Sequence, residues 1–367
     1  MKKILAIALA LCMVFALAAP MASAADEVKV AMITDYGDIT DQSFNQTTYE
    51  ACKAFCEENG VDFTYYKPGS DSDEDRVSMI EKAIDDGFTV IVMPGYAFAP
   101  AIAATVNDYD DVTFIALDVS EFDLTSAGLT EIPANLYSAV YQEELCGYMA
   151  GVAAVKLGYT KLGFLGGMAV PAVVRYGYGF VQGADAAAAE LGVAVEMNYA
   201  YGNQFYGDAD ITAAMDTWYD AGTEVVFACG GGIFTSAAEA AAKVGGKVIG
   251  VDVDQAGTID GLYGEGMTVT SAMKGLAATV KTELSAVLDG SFEGGVVANL
   301  GLVSETPEEN YVQLPASTQF ADGFTADDYA ALVAAMFAGD VTVSNDITVA
   351  AADLATSITV NDLGNLK

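Results

Sequence analysis

The chain has 367 residues, 53% of them hydrophobic, which is enough apolar material for a large core and for two domains. Its 51 acidic and 15 basic residues give a formal net charge of −36, which argues against partners such as nucleic acid and anionic lipid. The sequence contains no histidine, which excludes triads built on histidine and metal sites built on imidazole.

The first 24 residues have the order of features that is typical of a secretory signal peptide. Two lysines precede an apolar run at residues 4–19, and small residues follow at positions 22–24. We therefore expect cleavage after Ala24 and export to the periplasm or the cell surface. Cys12 follows Leu11, which is too large for a lipoprotein cleavage motif, so we expect no lipid anchor. The mature chain then keeps 13 basic and 51 acidic residues, a net charge of −38.

Four cysteines remain in the mature chain, at Cys52, Cys56, Cys146 and Cys229. Cys52 and Cys56 lie four residues apart in a predicted helix, a spacing that suits neither a relaxed disulfide nor, with two thiols alone, a zinc site. The other two lie in apolar surroundings. We predict that all four are buried as small hydrophobic side chains, and that the protein holds no metal ion or cofactor.

From residue 28 onward, β-branched apolar runs alternate with amphipathic segments. We predict strands at residues 28–34, 61–66, 89–93, 112–117, 161–165, 194–200, 224–228 and 247–251. We predict helices at residues 44–59, 74–86, 100–108, 136–157, 171–191, 209–221, 235–244, 271–288 and 326–337. Continuous apolar strands separated by helices are typical of parallel sheets that are covered on both faces, so the chain is predicted to be an α/β protein.

The alternation is interrupted at residues 121–135, which predicts two similar lobes rather than one large sheet. The late helix can return to the first lobe, so more than one segment would cross between them. The predicted first lobe comprises residues 25–125 and 271–292. The second comprises residues 126–270 and 293–320, including an extended stretch at 294–303. The tail, residues 321–367, has no predicted position.

Ligands of doubly wound sheets bind at the carboxyl ends of the strands, where this chain places acidic, aromatic and glycine residues. The candidates are Asp35, Phe44, Asn45 and Asp118 in the first lobe, and Phe205, Tyr206, Gly231, Asp252 and Lys274 later in the chain. Carboxylates accept hydrogen bonds from sugar hydroxyls, and aromatic faces stack on flat rings. The set suits a polyhydroxylated ligand with a flat ring, although a simple turn explains the glycines better.

An enzymatic alternative is a nucleoside hydrolase, whose first strand leads into an aspartate cluster that holds calcium. Asp35, Asp38 and Asp41 are superficially similar, but the required earlier aspartate is replaced by Ile33. A carboxylate pair such as Asp252 with its neighbour two residues on could support acid/base chemistry, yet it equally suits ligand hydroxyls. A binding protein is therefore favoured, and a sugar-binding or sensory protein stays a second alternative.

Three motifs, in order and at characteristic spacing, carry a resemblance to a known family. They are Asp35-Tyr36-Gly37 with Asp41-Gln42-Ser43-Phe44-Asn45-Gln46, Gly163-Phe164-Leu165-Gly166-Gly167 with Arg175-Tyr176-Gly177-Tyr178-Gly179-Phe180, and Ile249-Gly250-Val251-Asp252-Val253-Asp254-Gln255 with Thr270-Ser271 and Lys274. The chain resembles the basic membrane protein (BMP) family, the PnrA-like nucleoside-binding components of bacterial ABC transporters, over most of residues 28–305.

This resemblance implies a type I periplasmic-binding-protein fold: two Rossmann-like lobes, joined by a hinge of crossing strands, that close on a purine nucleoside. It implies no catalysis, and it implies an ABC permease and ATPase as membrane partners of a monomeric binding protein. In the first lobe, Phe44 would stack on the base, Asp35 and Asn45 would line the same side, and Asp118 would bind the base.

In the second half of the chain, the resemblance implies that Asp252 and Lys274 hold the ribose hydroxyls. Phe205 and Tyr206 compete for the role of second stacking wall, because residues 202–208 depart from the family pattern. Tyr176 is a further candidate wall, although packing in the lobe core is the expected role. The family is commonly lipid-anchored, unlike the expectation from Cys12, and the tail beyond residue 318 fits the family pattern poorly.

Overall fold

The computed structural model describes residues 28–367, so the predicted signal peptide lies outside the described residues. The strands are β1 Lys29–Ile33, β2 Asp62–Tyr66, β3 Val90–Pro94, β4 Thr113–Leu117, β5 Leu136–Tyr141, β6 Lys161–Gly166, β7 Glu196–Tyr201, β8 Val225–Cys229, β9 Lys247–Asp252, β10 Thr268–Lys274, β11 Val296–Leu300, β12 Val312–Gln313 and β13 Thr359–Asn365. The α-helices are α1 Phe44–Asn59, α2 Asp73–Asp85, α3 Ala99–Thr105, α4 Glu121–Ser126, α5 Glu143–Lys156, α6 Pro171–Leu191, α7 Ala209–Asp220, α8 Phe234–Val244, α9 Ala256–Tyr263, α10 Leu276–Asp289 and α11 Ala326–Ala338.

The strands form two sheets, which confirms the predicted parallel α/β architecture. The first sheet has the order β11-β5-β4-β3-β1-β2, and all its neighbours are parallel. The second has the order β12-β10-β9-β8-β6-β7-β13, in which only β12 is antiparallel to its neighbour. Most strands are buried on both faces, as expected where helices cover a parallel sheet.

The chain passes between the sheets three times: after β5, after β10 and between β11 and β12. Backbone hydrogen bonds tie these crossing segments together. The Gln142 amide donates to the Leu300 carbonyl at 2.9 Å, and the Gly275 amide donates to the Tyr311 carbonyl at 2.6 Å. Three adjacent crossings of this kind form a hinge, because rotation of one lobe is absorbed in a few residues.

One predicted helix, residues 136–157, is wrong in its first six residues. Leu136–Tyr141 forms β5, which lies inside the first sheet between β4 and β11, and helix α5 begins only at Glu143. The segment contains two tyrosines and a valine, residue types that favour strands. It is buried on both faces and therefore lacks the polar alternation that marks an exposed strand, so periodicity alone does not separate it from a helix.

The predicted helix at residues 271–288 is also wrong at its beginning. Thr268–Lys274 forms β10, and α10 begins at Leu276 after Gly275. The run of threonine and valine at the beginning of this strand favours extended structure. Lys274 consequently lies at the carboxyl end of a strand of the second sheet, and not in the first turn of a helix.

The predicted lobe ranges differ from the sheet membership in two places. β5 falls within 126–270 and β11 falls within 293–320, yet both strands belong to the first sheet. The interruption at 121–135 is a connection within the first lobe. This connection begins with α4, which has a capping box formed by Ser120 and Asp123. The expected return of the late helix is confirmed, because α10 packs against α1.

The tail continues the second lobe. The predicted helix at residues 326–337 is confirmed as α11, whereas the β-branched residues 341–349 form no strand. The last strand, β13, pairs in parallel with β7 at the edge of the second sheet.

Cys52, Cys56, Cys146 and Cys229 are free and buried, which confirms that prediction. Among residues 28–367, no helix has the length and apolar character needed to cross a bilayer.

Helices α5 and α6 approach closely because each carries two glycines on the contacting face. A Cβ atom on Gly147 or Gly151 would overlap the backbone of α6, and one on Gly179 or Gly183 would overlap the backbone of α5. The close contact fixes the beginning of α5, which follows the first crossing between the lobes, against the second lobe.

We predict that Gly183→Ala destabilises the protein by about 1–3 kcal/mol, because the added methyl group meets the Tyr148 carbonyl oxygen across the helix contact. Gly261→Ala is the matched control, since it also adds a methyl group to a helix but points into open space. Urea unfolding followed by the fluorescence of Trp218, the one tryptophan in the sequence, measures both. Equal midpoints for the two variants would contradict the packing argument.

Helix α5 begins with two buried acidic residues, Glu143 and Glu144. Glu143 accepts a hydrogen bond from Arg175 Nε at 2.7 Å, whereas the nearest Glu144 oxygen lies 3.9 Å from that nitrogen. This Glu144 oxygen, Oε2, has no hydrogen-bond partner among the described residues. Burial raises the pKa of Glu144 to about 7, because the charged carboxylate is poorly solvated there.

We predict a pH-dependent gain in stability for Glu144→Gln. The folded state holds the proton of Glu144 more tightly than the unfolded state, because the pKa rises from 4.5 to about 7 on folding. The stability that this proton contributes is complete below pH 4.5 and is lost as the pH rises through 7. Glutamine does not ionise, so the variant should unfold like the parent at pH 4.5 and be more stable by about 1–3 kcal/mol at pH 8. Glu190→Gln, an exposed glutamate paired with Lys156, is the control. Parallel stability curves for parent and Glu144→Gln would contradict the prediction.

Candidate functional site

A cavity of about 780 Å³ lies between the lobes, at the carboxyl ends of strands from both sheets. All nine candidate residues of the sequence analysis line it. They are Asp35, Phe44, Asn45, Asp118, Phe205, Tyr206, Gly231, Asp252 and Lys274. The cavity is large enough for a ligand of two fused or linked rings, and its walls combine ring faces with carboxylates.

The loop after β1 is built around Asp41, which caps α1. Its carboxylate accepts hydrogen bonds from the backbone amides of Ser43, Asn45 and Gln46 at 2.9–3.1 Å. Ser43 occupies the N-cap position of α1, but its side chain makes no capping hydrogen bond, because Asp41 reaches across the turn and satisfies these donors. Ser43 is left free to contact the other lobe, and its hydroxyl donates to Asp252 Oδ2 at 2.5 Å.

Asp35 holds the first part of the same loop. Its Oδ1 accepts hydrogen bonds from the amides of Tyr36 and Gly37 at 2.6 and 2.7 Å, and from Asn45 Nδ2 at 3.3 Å. Burial raises the pKa of Asp35, and these donors lower it in part. Asn45 Oδ1 is buried without a hydrogen-bond partner in the described part of the chain, so it is available to a donor in the cavity.

Asp118 and Asp252 occupy matching positions in the two lobes. Asp118 follows β4 and Asp252 ends β9, and both have left-handed backbone conformations, with φ of +61° and +63°. Residues other than glycine rarely adopt this conformation, and it concentrates at functional sites. It turns each carboxylate away from its strand and toward Lys274, which lies 2.5 Å from Asp118 Oδ2 and 3.8 Å from Asp252 Oδ1.

Lys274 is buried at the centre of the site, where its Nζ also lies 3.5 Å from Glu143 Oε1. Burial alone lowers the pKa of Lys274, but the surrounding carboxylates raise it above its usual value, so the group stays charged. Burial raises the pKa of Asp118 despite the attraction of Lys274. The ammonium lies 4.7 Å from the centroid of the Phe44 ring and 5.8 Å from that of Tyr176.

The loop at residues 202–208 forms the wall from the second lobe. Phe205 is half-buried, and its ring covers Gly167 and Gly230, where any Cβ atom would collide with it. Gly231 has φ +51° and its Cβ position lies against the Phe205 carbonyl, so this glycine is needed for the turn. Tyr206 is 63% exposed at the rim of the cavity.

Tyr176 has the packing role expected of it, since its ring lies edge-on to Phe227 in the core of the second lobe. It also lines the cavity, and its hydroxyl lies 3.5 Å from Asp252 Oδ1.

Sequence reasoning missed Ser43 and Glu143 as parts of the site. Ser43 stands inside the first motif of the sequence analysis, but nothing in that motif indicates its contact with Asp252 of the second lobe. Glu143 lies two residues after the end of β5, and a strand at 136–141 would have placed it near the cleft edge, but residues 136–157 were predicted as one helix. Tyr36 was also missed. Its side chain lines the cavity, and its hydroxyl donates to Met168 Sδ at 3.6 Å.

Further contacts join the lobes beside the cavity. Gln255 Nε2 donates to the Gln42 carbonyl at 3.0 Å, and Thr258 Oγ1 donates to Gln42 Oε1 at 3.2 Å. Together with the contact between Ser43 and Asp252, they hold the lobes closed around the site. Such an arrangement can enclose a small ligand and surround it with hydrogen-bonding groups from both sides.

Comparison with known proteins identifies the family. Residues 28–319 match the model of the Bmp family, described as ABC transporter substrate-binding protein PnrA-like. The ABC transporter nucleoside-binding protein BmpA of Lactococcus lactis is 28% identical, and the match covers 81% of this chain and 88% of that protein. An uncharacterized lipoprotein of Pyrococcus abyssi is 25% identical over 81% of this chain and 72% of its own length.

A solved structure shares the fold. The solute-binding protein of an ABC transporter system from Aeropyrum pernix K1 superposes with a TM-score of 0.67 at 22% identity, covering 89% of this chain and 90% of its own. This likeness shows that the two chains share the two-lobed α/β fold. The lipoprotein name of the Pyrococcus relative gives no support to the expectation that the anchor is lacking. The chain is therefore an exported solute-binding component of an ABC transporter and belongs to the family of PnrA-like ABC transporter substrate-binding proteins.

Proposed function

We propose that the solute is a purine nucleoside, bound between the lobes by stacking on its base and by hydrogen bonds to its ribose. The observation that carries the proposal is the position of Lys274, whose ammonium lies among three carboxylates and 4.7 Å from the centroid of the Phe44 ring. A ligand with a flat ring joined to a polyhydroxylated ring can contact both features at once. A sugar alone has no aromatic ring system to stack on the Phe44 ring.

The ribose contacts follow from counting donors and acceptors. An ammonium has three N–H groups, and two of those of Lys274 are directed at Asp118 and Glu143. The third is available to a ligand hydroxyl. Asp252 can accept from a second hydroxyl, because Ser43 and Tyr176 occupy only part of the acceptor capacity of its carboxylate.

The base would be held by two aromatic rings and by the carboxylate of Asp118. Phe44 provides one stacking face, and Phe205 or Tyr206 provides the other. Phe205 is the better candidate, because it is half-buried and held over two glycines, whereas Tyr206 is largely exposed at the rim. Asp118 Oδ1 is buried and has no hydrogen-bond partner in residues 28–367, so it can accept a hydrogen bond from the base.

The protein would deliver this nucleoside to a permease and an ATPase and carry out no reaction itself. The nucleoside-binding name of the Lactococcus relative supports the choice of ligand. The aspartates that suggested a calcium-dependent hydrolase have other partners: Asp41 caps α1, and Asp38 pairs with Lys67 at 2.8 Å. The sequence further leads us to propose cleavage after Ala24 without a lipid anchor, which the mass of the mature protein from its native host would test.

We predict that adenosine, guanosine or inosine raises the melting temperature and gives a calorimetric binding signal, whereas ribose and free bases bind far more weakly. Ribose alone can reach only Asp252 and Lys274, and a free base can reach only the aromatic rings and Asp118. Saturation by a sugar with nucleosides inert would favour the sugar-binding alternative. Release of free base in the same tube would favour the hydrolase.

We predict that Phe44→Ala weakens nucleoside binding roughly ten- to hundredfold, because stacking of a base on an aromatic ring contributes about 1–3 kcal/mol. Phe122→Ala is the matched control, since Phe122 lies in the same lobe, is 77% exposed and does not line the cavity. Isothermal calorimetry measures both variants. An unchanged affinity in Phe44→Ala, with folding intact, would contradict the proposed stacking role.

A further inference from the structure

The tail beyond residue 319, which lies outside the family match, is fixed to the second lobe along α6. The Tyr178 hydroxyl donates to the Val349 carbonyl at 2.6 Å. The Asp185 carboxylate accepts hydrogen bonds from three successive backbone amides, those of residues 356–358, at 2.5–3.1 Å. These contacts set the course of the chain just before β13.

Strand β13 then brings the tail to the cleft. It pairs in parallel with β7, from Thr359 beside Glu196 to Asn365 beside Tyr201. The Leu366 amide donates to the Tyr201 carbonyl at 2.9 Å, at the last residue of β7. Directly after β7 comes the loop 202–208, which carries Phe205 and forms the wall of the cavity on the second lobe.

Lys367 contacts two residues of this loop, Gln204 and Asp208. Its ammonium donates to the Asp208 carboxylate and lies 3.4 Å from Gln204 Oε1. Gln204 Nε2 in turn donates to Asp208 Oδ2 at 2.9 Å and to the Tyr206 carbonyl at 2.8 Å. The hydrogen bond from Lys367 lowers the pKa of Asp208 to about 2, so this carboxylate is charged at neutral pH.

We propose that the tail positions the ligand-binding wall of the second lobe, and that Lys367 is a positioning residue for Phe205 and Tyr206. Gln204 and Asp208 lie on either side of these two aromatics, so a group that bonds to both restricts the loop between them. Loops with few buried contacts open locally at low cost in free energy, and a ligand must then select the ordered fraction. Only the identity of the ligand in this inference rests on the proposed function.

The test compares Lys367→Met with Lys367→Arg in the full chain. Methionine keeps the apolar stem but loses the charge, whereas arginine keeps the donors. Lys243→Met is the matched control, because Lys243 also forms an exposed ion pair in the second lobe, with Asp216 at 2.8 Å, but away from the cavity. The first readout is amide hydrogen exchange of residues 202–208 in protein without ligand, and the second is the calorimetric affinity for the nucleoside that the parent binds.

For Lys367→Met we expect exchange at residues 202–208 to rise about two- to fivefold, as befits an exposed ion pair, and affinity to fall by a similar factor. Lys367→Arg and Lys243→Met should resemble the parent. Unchanged exchange in the loop, exchange that rises across the whole lobe, or unchanged affinity in Lys367→Met would each overturn the proposal. If loop exchange rises but the parent binds no nucleoside, the positioning role stands and the proposed ligand is wrong.

Discussion

The ammonium of Lys274 is the charge on which the cleft depends. It comes from the second sheet, but its nearest partner, Asp118, belongs to the first lobe, and Glu143 begins the helix after the first crossing. Several carboxylates so close together would repel one another and lose solvation in a buried site, and a single cation offsets both effects. Lys274 therefore allows three segments to place their carboxylates side by side. These segments are the two strand ends that carry Asp118 and Asp252, and the beginning of α5.

The rest of the fold brings these groups to one place. Parallel strands put the loops of each lobe at one edge, and the three crossings bring the two edges face to face. The glycine contacts between α5 and α6 let the backbones approach, which fixes Glu143 next to Arg175. Ser43 and Gln42 then bond across the cleft to the second lobe. The closed arrangement of the lobes therefore depends on glycine packing and on hydrogen bonds of Gln42 and Ser43 as well as on the charged groups.

The sequence predicted most strands, most helices and nine of the residues that line the cavity, because alternating apolar runs and strand-end motifs are local signals. It failed where the signal depends on tertiary context. Residues 136–141 are buried on both faces, so their periodicity does not separate strand from helix until the neighbouring strands are known. The role of Ser43 depends on Asp252, 209 residues away. The tail has short polar and β-branched pieces without clear periodicity, and its course is set by side-chain contacts with α6 and by pairing with β7.

The left-handed backbone of Asp118 and Asp252 limits what evolution can place there. Glycine fits the conformation but removes the carboxylate, and β-branched or bulky residues are strained in it. Asparagine is the replacement that keeps both the backbone and the hydrogen-bonding length while it removes the charge and adds donors. Relatives with a different ligand chemistry are therefore expected to differ at these two positions by an exchange of aspartate for asparagine. A change of specificity by this route keeps the backbone at the two strand ends but lowers the number of carboxylates around Lys274.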